Sequence, residues 1–288
     1  SLYRLAQNAL SSQKEHQNAV PDTRFNVPVS PHKMFDATRI SLDELKAMRS
    51  AVPDSTINDV VLAVCGGGLR HYLLQHGELP DESLIAWVPI NARRGGASPG
   101  DRPGNNVTSM TVPIYTDVAD PVKRLQCIMT ATQRSKAAKA GVSARLMTDL
   151  SKHVPAATQV MASRFVLRNG MAARMCNLFI SNVPGPQVPL YMTGARQVGS
   201  YGMAPLANGM GLFIATPSYN GELTFNVTST REILPDVQFF ISCLEQSFAD
   251  LQRATKPAKK KKASKKRVVR SRPKVNGDKP AATRAPAH

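Results

Sequence analysis

An apolar run, Leu178-Phe179-Ile180, stops at Ser181-Asn182, and Val183-Pro184-Gly185-Pro186 closes it off. Proline fixes φ and removes a backbone donor, while glycine tolerates backbone that other residues avoid. The segment therefore reads as a strand with a rigid exit. Such an exit holds its Ser and Asn side chains in one place, which a binding surface needs. The plain alternative is a strand ending in a stiff loop with no further role.

Around this segment, helical and extended patterns alternate. Ser41, three residues before Glu44, forms a capping-box pattern for a helix to Met48. Ser55 or Thr56 caps a second helix reaching about His76, with Ile57, Val60, Val61, Val64, Leu69, Tyr72 and Leu73 as its apolar positions. Gly66-Gly67-Gly68 lies inside it, at a cost of roughly 1 kcal/mol per glycine relative to alanine. That cost implies close approach of another backbone or a ligand, or a break in the helix. Leu84 to Ile90 and Thr108 to Tyr115 read as strands, the second marked by its proline as an edge or terminus. Asp120 to Ala138 reads as a helix with Pro121 at its first position, and Ser143 to Arg168 as another, broken near Pro155. Met175 to Val183 is the strand described above. Gly211 to Ser218 and Gly221 to Ser229 form the clearest hairpin, because Asn220-Gly221 favours a type I′ turn. A last amphipathic helix opens at Leu234-Pro235-Asp236, runs to about Arg253 and buries Val237, Phe240, Ile241, Leu244, Phe248 and Leu251. The order does not fit repeated βαβ units. The expected class is α+β: a mixed, mostly antiparallel sheet packed by helices.

The 288 residues suffice for one large domain or two small ones. The chain starts at Ser1 without a signal-peptide pattern, so the expectation is a fragment or processed chain. No run of uncharged apolar residues is long enough to span a bilayer. Cys65, Cys127, Cys176 and Cys243 form no CxxC pair and read as small core residues in a reducing, cytoplasmic setting. The net charge of +17 is unevenly placed. Residues 256–288 hold 13 of the 37 basic and one of the 20 acidic residues, which is +12 of the total, leaving +5 for the rest. The domain reading is a linker or lobe end over 1–24, a globular unit over 25–254 and a disordered basic tail over 255–288.

Three constellations remain. Asn58-Asp59 sits at a helix start, where an acid complements the helix dipole; that accounts for Asp59 better than for Asn58. Gly104-Asn105-Asn106 follows Arg93-Arg94-Gly95-Gly96 and reads either as a polar loop or as a loop placing amides at a cleft. His32-x3-Asp36 has the spacing of a base and an orienting acid, but such pairs arise by chance and Ala37 follows, so no catalytic role is assigned. Walker A and H-E-x-x-H patterns are missing, and no metal ligands are expected. Gly199 to Gly211 reads as a strand-joining loop, or as a Met-lined wall for a flexible acyl chain.

Together, Asn58-Asp59-Val60-Val61-Leu62-Ala63, Val88-Pro89-Ile90-Asn91-Ala92-Arg93, Gly104-Asn105-Asn106, Ser181-Asn182-Val183-Pro184-Gly185-Pro186 and the Gly221-Glu222-Leu223 hairpin resemble the C-terminal half of the bacterial wax ester synthase/acyl-CoA:diacylglycerol acyltransferase family. The resemblance covers about residues 25–254. It implies one lobe of a chloramphenicol acetyltransferase-like fold, with acyl-CoA and a hydrophobic alcohol as substrates, acyl-CoA as co-substrate and no bound cofactor. It also implies a catalytic His in an HHxxxDG motif on an N-terminal lobe, carried by the same or another chain. This sequence has no His-His pair, so no catalytic residue is assigned to it. Asn58 and Asp59 match a pair suggested to shape the site. Gly104, Asn105, Ser181, Asn182, Pro184 and Gly185 are the implied substrate-binding positions.

The tail supports a different class. Lys259, Lys260, Lys261, Lys262, Lys265, Lys266 and Arg267 would meet an anionic membrane or nucleic acid, and without interleaved aromatics they form no base-reading surface. For a lipid-making enzyme this implies peripheral contact with the inner membrane or lipid inclusions. The remaining readings are a noncatalytic interaction module and a merely solubilising tail.

Overall fold

Asn220 and Gly221 adopt positive φ, 47° and 86°, as a type I′ turn requires. They join β7 (Phe213–Tyr219) to β8 (Glu222–Thr230). In chain order the preceding strands are β1 (Lys33–Ser41), β2 (Ile85–Asn91), β3 (Val107–Pro113), β4 (Leu178–Val183), β5 (Tyr191–Met192) and β6 (Ala195–Arg196). The helices are α1 (Leu42–Arg49), α2 (Ile57–Gln75), α3 (Pro121–Gly141) and α4 (Val237–Thr255). This computed structural model describes residues 20–91, 107–141 and 175–256. Helix Ser143 to Arg168, the Gly104–Asn106 loop and the basic tail lie outside the described residues.

Among the described residues six strands form one sheet in the order β1-β8-β7-β4-β2-β3, and β5 pairs with β6 alone. β1–β8, β8–β7 and β2–β3 are antiparallel, while β4 is parallel to both β2 and β7. The class is the expected one, α+β with a mostly antiparallel sheet. β3, with Pro113 at its end, is an edge strand as its proline foretells. The β4 strand starts at Leu178, three residues later than the pattern suggests.

One face of the sheet carries the described helices. Val88, Met110, Leu178, Ile180, Ile214, Leu223, Phe225 and Val227 join α2 and α4 side chains in a single core. α2 is buried nearly all round from Asp59 to Leu69, as befits a helix apolar on every side. Its glycine triplet explains the tight fit without any break. A Cβ on Gly66 would lie 2.2 Å from the Ile114 carbonyl, one on Gly67 2.1 Å from Ser247 Oγ, and one on Gly68 2.6 Å from Leu244 Cδ2. The triplet therefore admits β3's outgoing chain and α4 rather than a ligand. Arg124, on α3, is buried beside it and donates to the carbonyls of Tyr115, Val118 and Ala119. Burial and the neighbouring Arg70 lower its pKa to about 10, which leaves it charged at neutral pH.

Two core assignments need correction. Cys127 is half-buried rather than interior, because α3 turns it toward its flank, and Phe248 only partly closes against the core. Cys65, Cys176 and Cys243 are buried as expected. Burial pushes the Cys65 thiol upward and Cys176 up to about 12, so both are inert. The chain from Val20 onward is tied to this unit. Arg24 makes two 2.6 Å bonds to Glu78 and one of 2.9 Å to Tyr72 Oη, and Tyr72 donates at 2.6 Å to Asp236.

Candidate functional site

The N-terminus of α2 separates the two residues of the Asn58-Asp59 pair. Thr56 is the N-cap, and its backbone N–H and hydroxyl both donate to Asp59 Oδ2 at 2.8 Å. Thr132 of α3 donates to the other oxygen, Oδ1, at 2.7 Å. With 1% exposure and both oxygens engaged, Asp59 holds α2 to α3. Asn58 is half-exposed, and its side chain makes no hydrogen bond among the described residues. Of the two, Asn58 alone keeps its side chain uncommitted among the described residues.

The exit of β4 is stitched to the β7–β8 turn. Gly185 N–H donates to Ser218 Oγ at 3.2 Å, and Asn220 N–H to the Pro186 carbonyl at 3.0 Å. Gln187 accepts from Gly221 N–H at 2.9 Å and donates to the Gly185 carbonyl at 3.0 Å. A Cβ at position 185 would sit 2.1 Å from the Ser218 carbonyl oxygen, so only glycine fits. Pro184 is exposed. The rigid exit expected from the Pro-Gly-Pro pattern is present, and Ser218 and Gln187 are the residues that brace it. Their contribution was not visible in the sequence, since Ser218 lies 33 residues from Gly185.

Alternation places Ser181 and Asn182 on opposite faces. Ile180 belongs to the helix-side core, so Asn182 shares that side, while Ser181 shares with Phe179 the face that carries no helix among the described residues, called the helix-free face below. Across that face Ser181 registers with Ala215 and Ala215 with Asn226. The adjoining row is aromatic: Trp87, Phe179 and Phe213, with ring centroids 5.9 and 5.6 Å apart. Asn58 reaches the same end of the sheet as Asn182. α3 starts where β3 finishes and runs back, so the Asp59–Thr132 bond lies toward the far ends of β2 and β4. Asn58 and Asn182 thus share a side and an end, whereas Ser181 lies through the sheet from them. Gly104 and Asn105 fall outside the described residues.

Two other readings have definite outcomes. His32 is exposed and pairs through Nδ1 with Glu232 at 3.1 Å, and Asp36 accepts from Ala37 N–H, so the two do not meet. The Gly199–Gly211 segment lies across the helix-free face: Thr224 donates to the Ser200 carbonyl at 2.9 Å, and a Cβ on Gly202 would rest 3.4 Å from Ala215 Cβ. Met203 is 66% exposed, so it lines the surface of this strap rather than an interior wall, while Met210 is buried against Cys176. Among the described residues there is no group of His, Cys, Asp and Glu suited to a metal ion, and no helix long and apolar enough to cross a membrane.

Residues 103–252, more than half of the chain, match the protein-family model described as the WS/DGAT C-terminal domain. The chain belongs to this family. A Mycobacterium tuberculosis relative carrying a provisional diacylglycerol O-acyltransferase name is 36% identical over 236 residues, which are 80% of this chain and 46% of the relative. Another from the same organism is 36% identical over 260 residues, 88% of this chain and 56% of the relative. The wax ester synthase/diacylglycerol acyltransferase of Marinobacter aquaeolei VT8 superposes with a TM-score of 0.68 at 27% identity, covering 88% of this chain and 57% of that one. The trichothecene 15-O-acetyltransferase of Fusarium sporotrichioides shares the fold, with a TM-score of 0.53 at 14% identity. This WS/DGAT chain therefore spans about half the length of the curated relatives it matches.

Proposed function

We propose that this WS/DGAT chain is the C-terminal lobe of an acyl-CoA-dependent O-acyltransferase. The complete enzyme would move a fatty acyl group from acyl-CoA to diacylglycerol or a long-chain alcohol, yielding triacylglycerol or wax ester. The carrying observation is the braced Ser181–Pro186 exit, in a chain 36% identical to relatives named for that reaction. An imidazole on an N-terminal lobe, in the same or another chain, takes the proton of the acceptor hydroxyl. The oxygen attacks the thioester carbonyl, the C–S bond breaks, and the departing thiolate takes the proton back. Ser181 donates to the carbonyl oxygen as charge develops there, an interaction that contributes about 3 kcal/mol in comparable sites. Asn58 and Asn182, which share the other side of the sheet, shape the margin there, and Gly104 and Asn105 are further substrate-binding positions. No protein cofactor takes part. The basic segment over residues 259–267 would hold the enzyme at an anionic inner-membrane or lipid-inclusion surface, at about 1 kcal/mol per basic residue.

Acyl transfer from palmitoyl-CoA is measured for this chain alone and for the chain joined to the N-terminal half of the Marinobacter relative. Transfer by the joined protein and none by the chain alone is expected. No transfer by the joined, folded protein would leave a noncatalytic lobe as the correct reading. Liposome flotation with residues 255–288 present and deleted tests the tail: retained binding after deletion removes its membrane role.

A further inference from the structure

A cavity of about 260 Å³ lies beside the β7–β8 turn, lined by Arg39, Arg196, Gln197, Tyr219, Asn220 and Glu222. We propose that it binds a phosphate ester, namely the nucleotide-phosphate end of acyl-CoA; the choice of ligand rests on the acyltransferase reading above.

Two arginines converge there from strands distant in sequence. Arg39, on β1, is held in place rather than left to wander. Its Nε donates to Tyr201 Oη at 2.8 Å, and a terminal nitrogen lies 3.4 Å from the Val198 carbonyl and 3.5 Å from Glu222. Arg196, on β6, has no carboxylate within ion-pair distance among the described residues. With Glu222 the only acid in the lining among the described residues, those residues leave one positive charge over. Both the Nε and a terminal nitrogen of Arg39 are spent on Tyr201 Oη, so Arg39 sets the wall of the cavity, and Arg196, whose side chain makes no hydrogen bond among the described residues, presents the paired donors of its fork to a phosphate.

Size and position agree with an end group. Whole small-molecule sites usually occupy roughly 300–1,000 Å³, so this cavity suits one end of a longer ligand. Arg39 opposes Thr224, and Tyr219 follows Ala215 and Pro217 on one face of β7, so the cavity and the Ser181 side chain share the helix-free face. Ala215 is opposite Ser181 and Tyr219 is four residues further on, about 13 Å along the strand. The pantetheine arm of CoA separates the thioester from the phosphates, and this face offers a hydroxyl at one place and free positive charge at the other. The Asn220–Pro186 bond couples the turn to the exit loop, so the two places are rigidly related.

Isothermal titration of the full chain with adenosine bisphosphate, CoA and pantetheine provides the test. The wild type is expected to bind the first two, more weakly as salt rises. Arg196→Glu should lower both affinities at least tenfold and leave pantetheine unaffected, and Arg196→Gln should fall between. Arg196 is exposed, so near-ultraviolet circular dichroism should remain unchanged in the variants. No binding of adenosine bisphosphate by the wild type, or equal binding by Arg196→Glu, overturns the proposal. Phosphatidic acid vesicles form a separate arm: Arg196-dependent binding to them without binding of the soluble phosphates would assign the cavity to a lipid headgroup and overturn the CoA assignment. In the joined protein, an unchanged KM for palmitoyl-CoA in Arg196→Glu refutes the cavity's role alone. Bisphosphate binding with no acyl transfer refutes the acyltransferase reading instead.

Discussion

The helix-covered side and the chain leaving β4 are built to opposite rules. Around α2, backbone and side chains approach so closely that three successive residues have no room for a methyl group. From Val183 to Met203 the chain lies open, with Val188, Tyr191, Met192 and Val198 each at least 60% exposed. Among the described residues β5 and β6 pair only with each other, and a Cβ on Gly194 at their turn would meet nothing within 4 Å. The apolar side chains of this segment stay in solvent, whereas those around α2 are closed off by their own neighbours. Residues that match the family motif therefore divide by location: Asp59 belongs to the sealed side, and Pro184 to the open one.

The contrast can be broken by substitution. Gly66→Val should destabilise the lobe by about 3 kcal/mol in urea unfolding, because the new side chain meets the Ile114 carbonyl at the heart of the packing. Asp59→Ala should cost about 2 kcal/mol, since it strips the cap from α2 and removes the Thr132 tie to α3, leaving Thr132 only the Met129 carbonyl of its own helix. Asn58→Ala should leave stability within about 0.5 kcal/mol of wild type while slowing the joined enzyme; an unaltered rate would remove Asn58 from the site. Gly194→Ala, at φ 87°, should cost only about 1 kcal/mol, from backbone strain alone. If Gly66→Val and Gly194→Ala cost the same, the two regions do not differ as described. Met192→Ser should move stability by less than about 0.5 kcal/mol.

A pH effect sharpens the picture at the margin of the sealed side. The Arg24 guanidinium holds the Glu78 carboxyl below the usual carboxylate range. That pair stabilises the folded state fully above the unfolded carboxyl's pKa, and the contribution disappears as pH falls through the lower folded value. Stability measured from neutral pH downward should fall less steeply in Arg24→Gln than in wild type.

Much of the architecture could be read from local chemistry. Asn220-Gly221 announced its turn, Pro113 its edge strand, and the residues at 55–59 the start of α2. What local chemistry could not reveal was pairing over distance. Nothing in Leu178–Val183 says that it lies between β2 and β7 and runs parallel to both. The glycine triplet signalled crowding without naming Ile114, Ser247 and Leu244, the last two about 180 residues away. At the site, motif residues were visible as types, but their sidedness depended on strand register. Arg39 and Arg196 carried no signal at all, because 157 residues separate them and only the fold makes them neighbours.

The pairing of β1 with β8 has a consequence for how the molecule is made. Lys33 registers with Thr230, so the first strand waits for the last. At about 5–20 residues per second, a ribosome takes on the order of 10–40 s to deliver the missing partner. During that interval β1 has an unpaired edge, and the apolar side of the nascent sheet is open to chaperones or to wrong partners. A strand that completes the sheet so late makes slow, end-of-synthesis folding the natural regime for this lobe.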